Sequence, residues 1–234
     1  MLLKELRKQA LEANLELVHR GLVLYTFGNA SGISREDGLI VIKPSGVPYE
    51  ELKPEHLVIT DLQGKVVEGK LRPSSDLPTH VVLYNAFPSI GGIAHTHSEF
   101  AVAWAQAGRA IPCLGTTHAD YFHGPVPVTA ELSAEEIASD YEKNTGHAIV
   151  RAFEGLNASA IPAVLVRSHA SFTWGPDPAA AAHNSVILES VARMAYYTAG
   201  LVANLESIPS SLHDKHFLRK HGTTRYYGQE SKEK

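Results

Sequence analysis

Two histidines separated by one residue are the first feature of this sequence that could do chemistry. His95 and His97 end a strand-like run, and side chains two residues apart in an extended chain point to the same side. His169 ends another strand-like run, at 163–168, and precedes a turn. If the two strands are neighbours, three imidazoles converge, and this donor set suits a catalytic zinc or another borderline divalent ion. The pattern is equally compatible with half-exposed polar residues at strand ends, so both interpretations stay open.

Asp76 is the fourth candidate ligand for the same ion. It precedes Pro78 at a predicted helix start, where a carboxylate commonly acts as the N-cap. A carboxylate in that position can also face an ion, so the two roles do not exclude each other. Other histidines are interpreted as solvated surface residues (His19, His56, His123, His147 and His213) or as structural residues within helices (His80 and His183).

Three short polar loops could hold an anion. They cover residues 28–32, 43–46 and 73–76, and each combines small or polar residues with backbone N–H groups. The third loop leads into the helix that starts near Asp76, and a helix N-terminus favours negative charge. Each loop alone is typical of a turn. Together they predict an anion site near the metal, to which Lys43 would add a positive charge.

The composition limits the classes of function. The chain has 234 residues, of which 44% are hydrophobic and 20% charged, as in one large packed domain or two small ones. A net charge of −4 lacks the electrostatic footprint of a nucleic-acid binder. The single cysteine, Cys113, excludes an internal disulfide and a thiolate metal site, which fits a reducing compartment. With no apolar stretch long enough for a bilayer and no signal-like start, we expect a cytoplasmic protein without a membrane or nucleic-acid partner.

Hydrophobic periodicity and turn residues predict the elements that position these groups. No linker or repeat interrupts the chain, so we expect a single domain over 1–229, followed by a disordered tail at 230–234. Hairpins between interleaved strands and helices predict an α/β fold whose mostly antiparallel or mixed sheet has helices on both faces. The predicted helices cover about 3–20, 76–87, 98–107, 133–155, 177–203 and 211–221, and the predicted strands 39–42, 57–60, 65–67, 92–96, 163–168 and 171–174.

In combination, these segments resemble the class II aldolase and epimerase family. The resemblance covers nearly the whole chain, and its specificity lies in eight motifs that occur in a fixed order. They are F-G-N-A-S-G at 27–32, K-P-S-G at 43–46, P-S-S-D at 73–76, H-T-H-S at 95–98, G-T-T-H-A-D-Y at 115–121, S-H-A-S-F at 168–172, D-K-H-F-L-R-K-H-G at 214–222 and Y-Y-G-Q at 226–229.

The resemblance implies a three-layer α/β/α fold and a cyclic homotetramer with active sites between subunits. It implies zinc as the cofactor, replaceable by another divalent metal such as Mn²⁺ or Co²⁺. The implied metal ligands are Asp76, His95, His97 and His169. The implied sugar-phosphate-binding residues are Gly28, Asn29, Lys43, Ser45, Gly46, Ser74 and Ser75. Asp120 and Tyr227 match the acid/base pair, with the tyrosine supplied by the neighbouring subunit.

One residue departs from the pattern of the family. Ala170 follows the third histidine, where glycine is more usual. If the site needed a positive φ there, alanine would be strained. We expect an ordinary φ at Ala170 and an intact site.

The implied activity is the interconversion of L-ribulose 5-phosphate and D-xylulose 5-phosphate by retro-aldol cleavage and re-formation of the C3–C4 bond. The C4 oxygen lies on opposite sides in the two epimers, so each side needs a proton-transfer group, and Asp120 and Tyr227 would supply one each. The alternative on the same scaffold is a sugar-phosphate aldolase. Aldolases of the family carry a longer glutamate where this chain has Asp76, which favours the epimerase. A non-catalytic binding module would leave Asp120, Tyr226 and Tyr227 without a task. The pathway stays open between arabinose use and another pentose route.

Overall fold

The computed structural model describes residues 1–223 and 225–226. In this part of the chain, helices and strands are interleaved without a regular alternation. The helices are α1 (Lys4–His19), α2 (Leu77–Ala86), α3 (Glu99–Gln106), α4 (Thr116–Ala119), α5 (Ala134–Ala138), α6 (Tyr141–Ala152), α7 (Pro178–Leu201) and α8 (Ser210–His221). The strands are β1 (Asn29–Ser34), β2 (Leu39–Ile42), β3 (Val58–Asp61), β4 (Val66–Glu68), β5 (Gly92–Thr96), β6 (Ala163–Leu165) and β7 (Ser171–Gly175).

The strands form one sheet in the order β4-β3-β2-β1-β5-β7-β6. Each neighbouring pair of strands in it is antiparallel. An isolated parallel bridge joins Val128 to Leu165 beside β6. The mostly antiparallel sheet predicted from the hairpins is therefore confirmed.

Helices cover both faces of this sheet, which makes the three layers. On one face, α2 and α6 pack on strand residues such as Ile40, Ile93 and Phe172. On the other face, α1, α3 and α7 cover the alternate strand residues, among them Val41 and Ala94. Side chains in a strand point alternately to the two faces, so the central strands, covered on both sides, are buried along almost their whole length. The sheet is thereby a rigid frame, and its strand ends are fixed points for functional side chains.

Local signals explain where two of these helices begin. The Asp177 side chain accepts a hydrogen bond from the Ala180 N–H at 2.7 Å, and Pro178 occupies the first helical position of α7. Ser133 and Glu136 form a reciprocal capping box at the start of α5. Both starts were predicted from the sequence.

Two sequence-based expectations are wrong. Residues 29–32, expected to be a loop, are the first four of the six residues of β1, because β2 and β5 supply backbone partners on both sides. The single helix expected over 133–155 is broken at Ser139 and Asp140 into α5 and α6, since the Ser139 hydroxyl bonds back to the Glu135 carbonyl and ends the first helix.

No helix in the described ranges combines the length and the apolar character that a bilayer span requires.

Candidate active site

The three predicted histidines come together at one end of the sheet. His95 and His97 lie at the end of β5, and β7 pairs with β5, so the turn that enters β7 brings in His169. The Nε2 atoms of His95 and His97 are 3.1 Å apart, and one ring nitrogen from each of the three residues lies within 4.8 Å of the others. The convergence that the strand-end positions left open is thus present.

The orientation of the His95 ring is fixed by neighbours beyond the cluster. Its Nδ1 is 3.0 Å from the Ser171 carbonyl oxygen, and the ring stacks on Phe172 at 4.3 Å. A carbonyl only accepts, so Nδ1 carries the hydrogen and Nε2 presents its lone pair to His97 and His169. A second ring nitrogen bonded to a carbonyl is the usual arrangement of a metal-binding histidine.

His169 is held by the turn between β6 and β7. The preceding residue, Ser168, has a φ of 59°, while Ala170 stays outside the left-handed region, so the expectation of an ordinary φ at Ala170 is confirmed. The Tyr141 hydroxyl lies 3.3 Å from Nδ1 of His169, which leaves Nε2 for an ion. Burial and the neighbouring histidines lower the pKa of His169 to about 4, and they also lower the pKa of His97. Both imidazoles are therefore neutral at pH 7, the form that binds a metal.

Asp76 occupies the N-cap position of α2, but its side chain makes no capping bond. Its Oδ2 instead accepts a hydrogen bond of 2.7 Å from Nδ2 of Asn29 and lies 3.9 Å from Nε2 of His95. Burial raises the pKa of Asp76, but His95, His80 and the bond from Asn29 outweigh burial and hold the pKa below its usual value. Neutral imidazoles beside an ionised carboxylate fit a borderline divalent cation.

The predicted anion-binding residues line a cleft of about 370 Å³ that contains the histidines. The loops at 43–46 and 73–76 are joined by backbone hydrogen bonds from Ser45 N to the Arg72 carbonyl and from Ser74 N to the Lys43 carbonyl, each 2.9 Å long. Gly28 has a φ of 89°, and a Cβ there would lie 2.8 Å from the His95 carbonyl oxygen, so only glycine fits. The lining residues from the prediction are Gly28, Asn29, Lys43, Ser45, Gly46, Ser74 and Ser75.

Lys43 brings a positive charge to this cleft. Its side chain is 1% exposed, with Nζ 4.6 Å from the centre of the Tyr49 ring and 3.3 Å from the Pro44 carbonyl oxygen. Within the described residues, no carboxylate pairs with it. Burial lowers the pKa of Lys43 to about 8. An anionic ligand would supply the negative charge that the described residues do not place beside Lys43.

Asp120 is not among the residues that line this cleft. It ends α4 and is bound by α8, with its carboxylate 3.0 Å from His216 Nδ1, 2.8 Å from Arg219 Nη2 and 3.8 Å from Lys220 Nζ. Burial raises the pKa of Asp120, but the hydrogen bonds from Arg219 and His216 and the charge of Lys220 prevail and lower it. The second predicted acid/base group, Tyr227, lies outside the described residues.

Comparison with known proteins identifies the family of this chain. The family described as Class II Aldolase and Adducin N-terminal domain matches residues 8–196. This match spans His95, His97 and His169 and most of the chain. The chain belongs to the class II aldolase family.

Curated relatives in this class II aldolase family share half of the sequence. The L-ribulose-5-phosphate 4-epimerase UlaF of Salmonella paratyphi A (strain ATCC 9150 / SARB42) is 51% identical over 227 residues, which are 97% of this chain and 100% of that protein. The protein of the same name from Salmonella typhi matches to the same extent.

Solved structures of the class II aldolase fold superpose on most of the chain. An L-fuculose 1-phosphate aldolase aligns with a TM-score of 0.75 at 24% identity and covers 91% of this chain and 94% of that one. The L-fuculose-1-phosphate aldolase of Thermus thermophilus aligns with a TM-score of 0.67 at 24% identity, over 87% and 100% of the two chains. At this identity the likeness supports the fold.

Sequence reasoning missed four residues that line the class II aldolase cleft: Thr26, Phe27, Tyr141 and Glu142. Tyr141 and Glu142 begin α6, and the Thr79 hydroxyl donates to the Glu142 carbonyl, which fixes this helix start against α2. The helix break before Tyr141 was the signal that could have identified them, since Ser139 and Asp140 are poor residues for a helix interior. In a continuous helix over 133–155, nothing in the sequence would have marked these two residues as part of the cleft.

Replacing Lys43 by methionine should stabilise the fold while removing anion binding. The folded pKa of about 8 lies below the ordinary 10.5, so the charged form is disfavoured in the folded state. The penalty is fully present below pH 8 and disappears as pH rises to about 10.5. We expect K43M to gain roughly 3 kcal/mol in free energy of unfolding at pH 7, with a smaller gain at pH 10. Urea unfolding at both pH values measures this.

The exposed Lys65 in the β3–β4 turn provides the matched control, because K65M should change stability by less than about 0.5 kcal/mol. Inorganic phosphate should raise the thermal midpoint of the wild type and of K65M but not that of K43M. A K43M protein less stable than the wild type at pH 7 would show that the ammonium group is satisfied in the free protein.

Proposed function

We propose that this chain is a metal-dependent epimerase that interconverts L-ribulose 5-phosphate and D-xylulose 5-phosphate. The observation that carries the proposal is the convergence of His95, His97 and His169 with Asp76 in the cleft that also holds Lys43. The relatives that share half of the sequence bear the name of this epimerase. A sugar phosphate supplies a phosphate group for the anion-binding residues of the cleft and oxygen atoms for a cation.

The bound metal would be zinc, held by the three histidines with Asp76 beside it, and Mn²⁺ or Co²⁺ could replace it. Its chemistry is that of a Lewis acid, which polarises the C2 carbonyl and stabilises the negative charge that cleavage of C3–C4 leaves on the three-carbon fragment. The four donors lie at the end of β5, in the turn before β7 and at the start of α2, so the ion would bind without rearrangement of the sheet.

The anion-binding residues of the cleft would have two tasks in this mechanism. Lys43, Asn29 and the serines of the loops at 43–46 and 73–76 would bind the phosphate and orient C4. After cleavage they would retain the aldehyde fragment while it turns to present its other face. Retention distinguishes an epimerase from an aldolase, because an aldolase must release both fragments.

Proton transfer at the C4 oxygen would fall to Asp120 and Tyr227. Asp120 does not line the cleft of its own chain, so we infer that a neighbouring copy completes each site. A homotetramer satisfies this requirement. Exposed apolar side chains offer surfaces for such contacts, with Tyr196, Tyr197 and Leu201 on α7 and Leu24 and Phe27 beside the cleft.

The cellular setting follows from the same chemistry. The substrate is a phosphorylated intermediate, and the lone Cys113 is buried without a disulfide. Both fit an enzyme of the cytoplasm in sugar catabolism, on a route for arabinose or another pentose.

The decisive experiment is an assay of zinc-reconstituted protein with L-ribulose 5-phosphate, in which D-xylulose 5-phosphate and dihydroxyacetone are measured in the same tube. We expect rapid formation of xylulose phosphate with only traces of dihydroxyacetone. Net release of dihydroxyacetone would make the protein an aldolase and would show that Asp76 does not discriminate the two activities. Neither product from protein with metal bound would mean that the substrate is another sugar phosphate.

Replacing Tyr227 by phenylalanine should slow epimerisation by roughly a hundredfold, because the hydroxyl is the proton-transfer group on one side of C4. The zinc content should not change. The adjacent Tyr226 is the matched control, since its ring lies 5.2 Å from Lys215 Nζ on α8 and its hydroxyl has no assigned task. An unaltered rate in Y227F together with a slow Y226F would transfer the role to Tyr226.

A further inference from the structure

A second group of metal-binding side chains lies away from the cleft. His123 follows α4, while His213 and Asp214 lie near the start of α8. One donor atom from each residue lies within 4.8 Å of the other two, and Nε2 of His123 is 2.9 Å from Oδ1 of Asp214. Sequence reasoning treated both histidines as unrelated surface residues, because 90 positions separate them in the chain.

A backbone carbonyl sets the tautomer of His213. Its Nε2 is 3.0 Å from the Phe122 carbonyl oxygen. A carbonyl only accepts, so Nε2 carries the hydrogen and Nδ1 keeps a free lone pair. His95 in the cleft shows the same arrangement with the nitrogens exchanged, bonding a carbonyl through Nδ1 and presenting Nε2. In both cases the backbone selects the tautomer that a metal requires.

The rings of this cluster are restrained by stacking. His123 stacks on His213 with centroids 4.8 Å apart and on Phe217 at 4.6 Å. The His123 N–H donates to the Ala160 carbonyl at 2.8 Å, which holds its backbone. An ion lies in the plane of each imidazole that binds it, so the His123 ring would have to turn out of this stack before both rings could bind the same ion.

The cluster is accessible and close to the size of a coordination sphere. The side chains of His123 and Asp214 are 41% and 53% exposed, so an ion can enter and water can fill the remaining positions. Ligand atoms of tetrahedral zinc lie about 3.3 Å apart, so the donors need to move by about 1.5 Å at most. The exposed side chains are free to make this movement, which for His123 includes a rotation of the ring away from His213.

We propose that His123, His213 and Asp214 form a second metal site that takes zinc or a similar borderline divalent cation such as Ni²⁺ or Co²⁺. The ion would join the start of α8 to the segment after α4. The same helix carries His216 and Arg219, which hold Asp120. Occupancy of this site would therefore stiffen the N-terminal end of the helix that holds Asp120.

Zinc counting tests the proposal directly. Protein stripped by a chelator and equilibrated with micromolar buffered zinc should bind two ions per chain, one in the cleft and one at this site. H213N and H123N should each bind one ion. The exposed His147 on α6 is the matched control, and H147N should still bind two. H97N, which lacks the cleft site, should bind one ion, and the double variant H97N/H213N none.

Hydrogen exchange locates the ion in the chain. In H97N, zinc should slow amide exchange in α8 by at least severalfold, and in H97N/H213N it should have no effect there. One ion per chain in the wild type, unchanged in H213N and H123N, would overturn the proposal. An equal loss in H147N would also overturn it, since binding would then be unspecific to surface histidines. Should H213N fail to fold, H123N and D214N carry the same test, and none of these outcomes depends on the activity of the cleft.

Discussion

Replacing His97 by asparagine should remove zinc from the cleft and abolish epimerisation together. His97 supplies one of three imidazole donors, and its Nε2 is 3.1 Å from that of His95. A Lewis acid contributes several kcal/mol to the stabilisation of the transition state, so we expect turnover to fall by at least about a thousandfold. Zinc analysis of the purified variant and the coupled assay for xylulose phosphate measure the two effects side by side.

The exposed His147 is again the control, because H147N makes the same chemical change on the outer face of α6. It should keep both the metal in the cleft and the activity. An H97N protein that is fully active without metal would remove the ion from the mechanism. An H97N protein that retains zinc in the cleft but loses activity would leave the ion in place and assign His97 to the substrate instead.

Replacing Asp120 by asparagine should slow epimerisation by roughly a thousandfold with zinc content unchanged. The amide keeps the shape of the side chain and removes its capacity to take the proton from the C4 hydroxyl. The pKa of Asp120 is held below its usual value, so the carboxylate is ionised near neutral pH and its protonation should lower the wild-type rate in acid. D120N should lack this acidic limb in its pH–rate profile.

The pH profile separates chemistry from architecture, because Asp120 also binds α8 through Arg219 and His216. Hydrogen exchange in α8 measures how far D120N loosens the helix. D37N, a change of the same kind in the exposed β1–β2 turn, should affect neither rate nor exchange. If D120N kept an acidic limb with the wild-type midpoint, the titrating base would be another group.

The convergence of the three histidines was predictable because their positions depend on local rules. A period of two places His95 and His97 on the same side, and a hairpin signal places His169 at the entry to β7. Asp76 was predicted with two compatible roles, and the structure shows its side chain turned toward Asn29 and His95 rather than capping α2.

The features that sequence reasoning missed depend on contacts between distant parts of the chain. The segment Asn29–Ser34 contains asparagine, serine and glycine, which have low strand propensity, yet it is a central strand because β2 and β5 flank it. The link between Asp120 and α8 joins positions about 100 residues apart. The break between α5 and α6 turns on one serine hydroxyl, a competition too finely balanced for periodicity to detect.

The order of strands in the sheet has a consequence for synthesis of the chain on the ribosome. β5 pairs with β1, which is made earlier, and with β7, which is made much later. A nascent chain that has not reached residue 171 therefore exposes one edge of β5, with open backbone N–H and C=O groups next to His95 and His97. Such an edge can pair with the strand edge of another chain. Growing chains on one messenger RNA would therefore need a chaperone bound at this edge to keep them apart. His169 is translated just before β7, so the last of the three histidines and the strand that covers this edge become available at the same stage of synthesis.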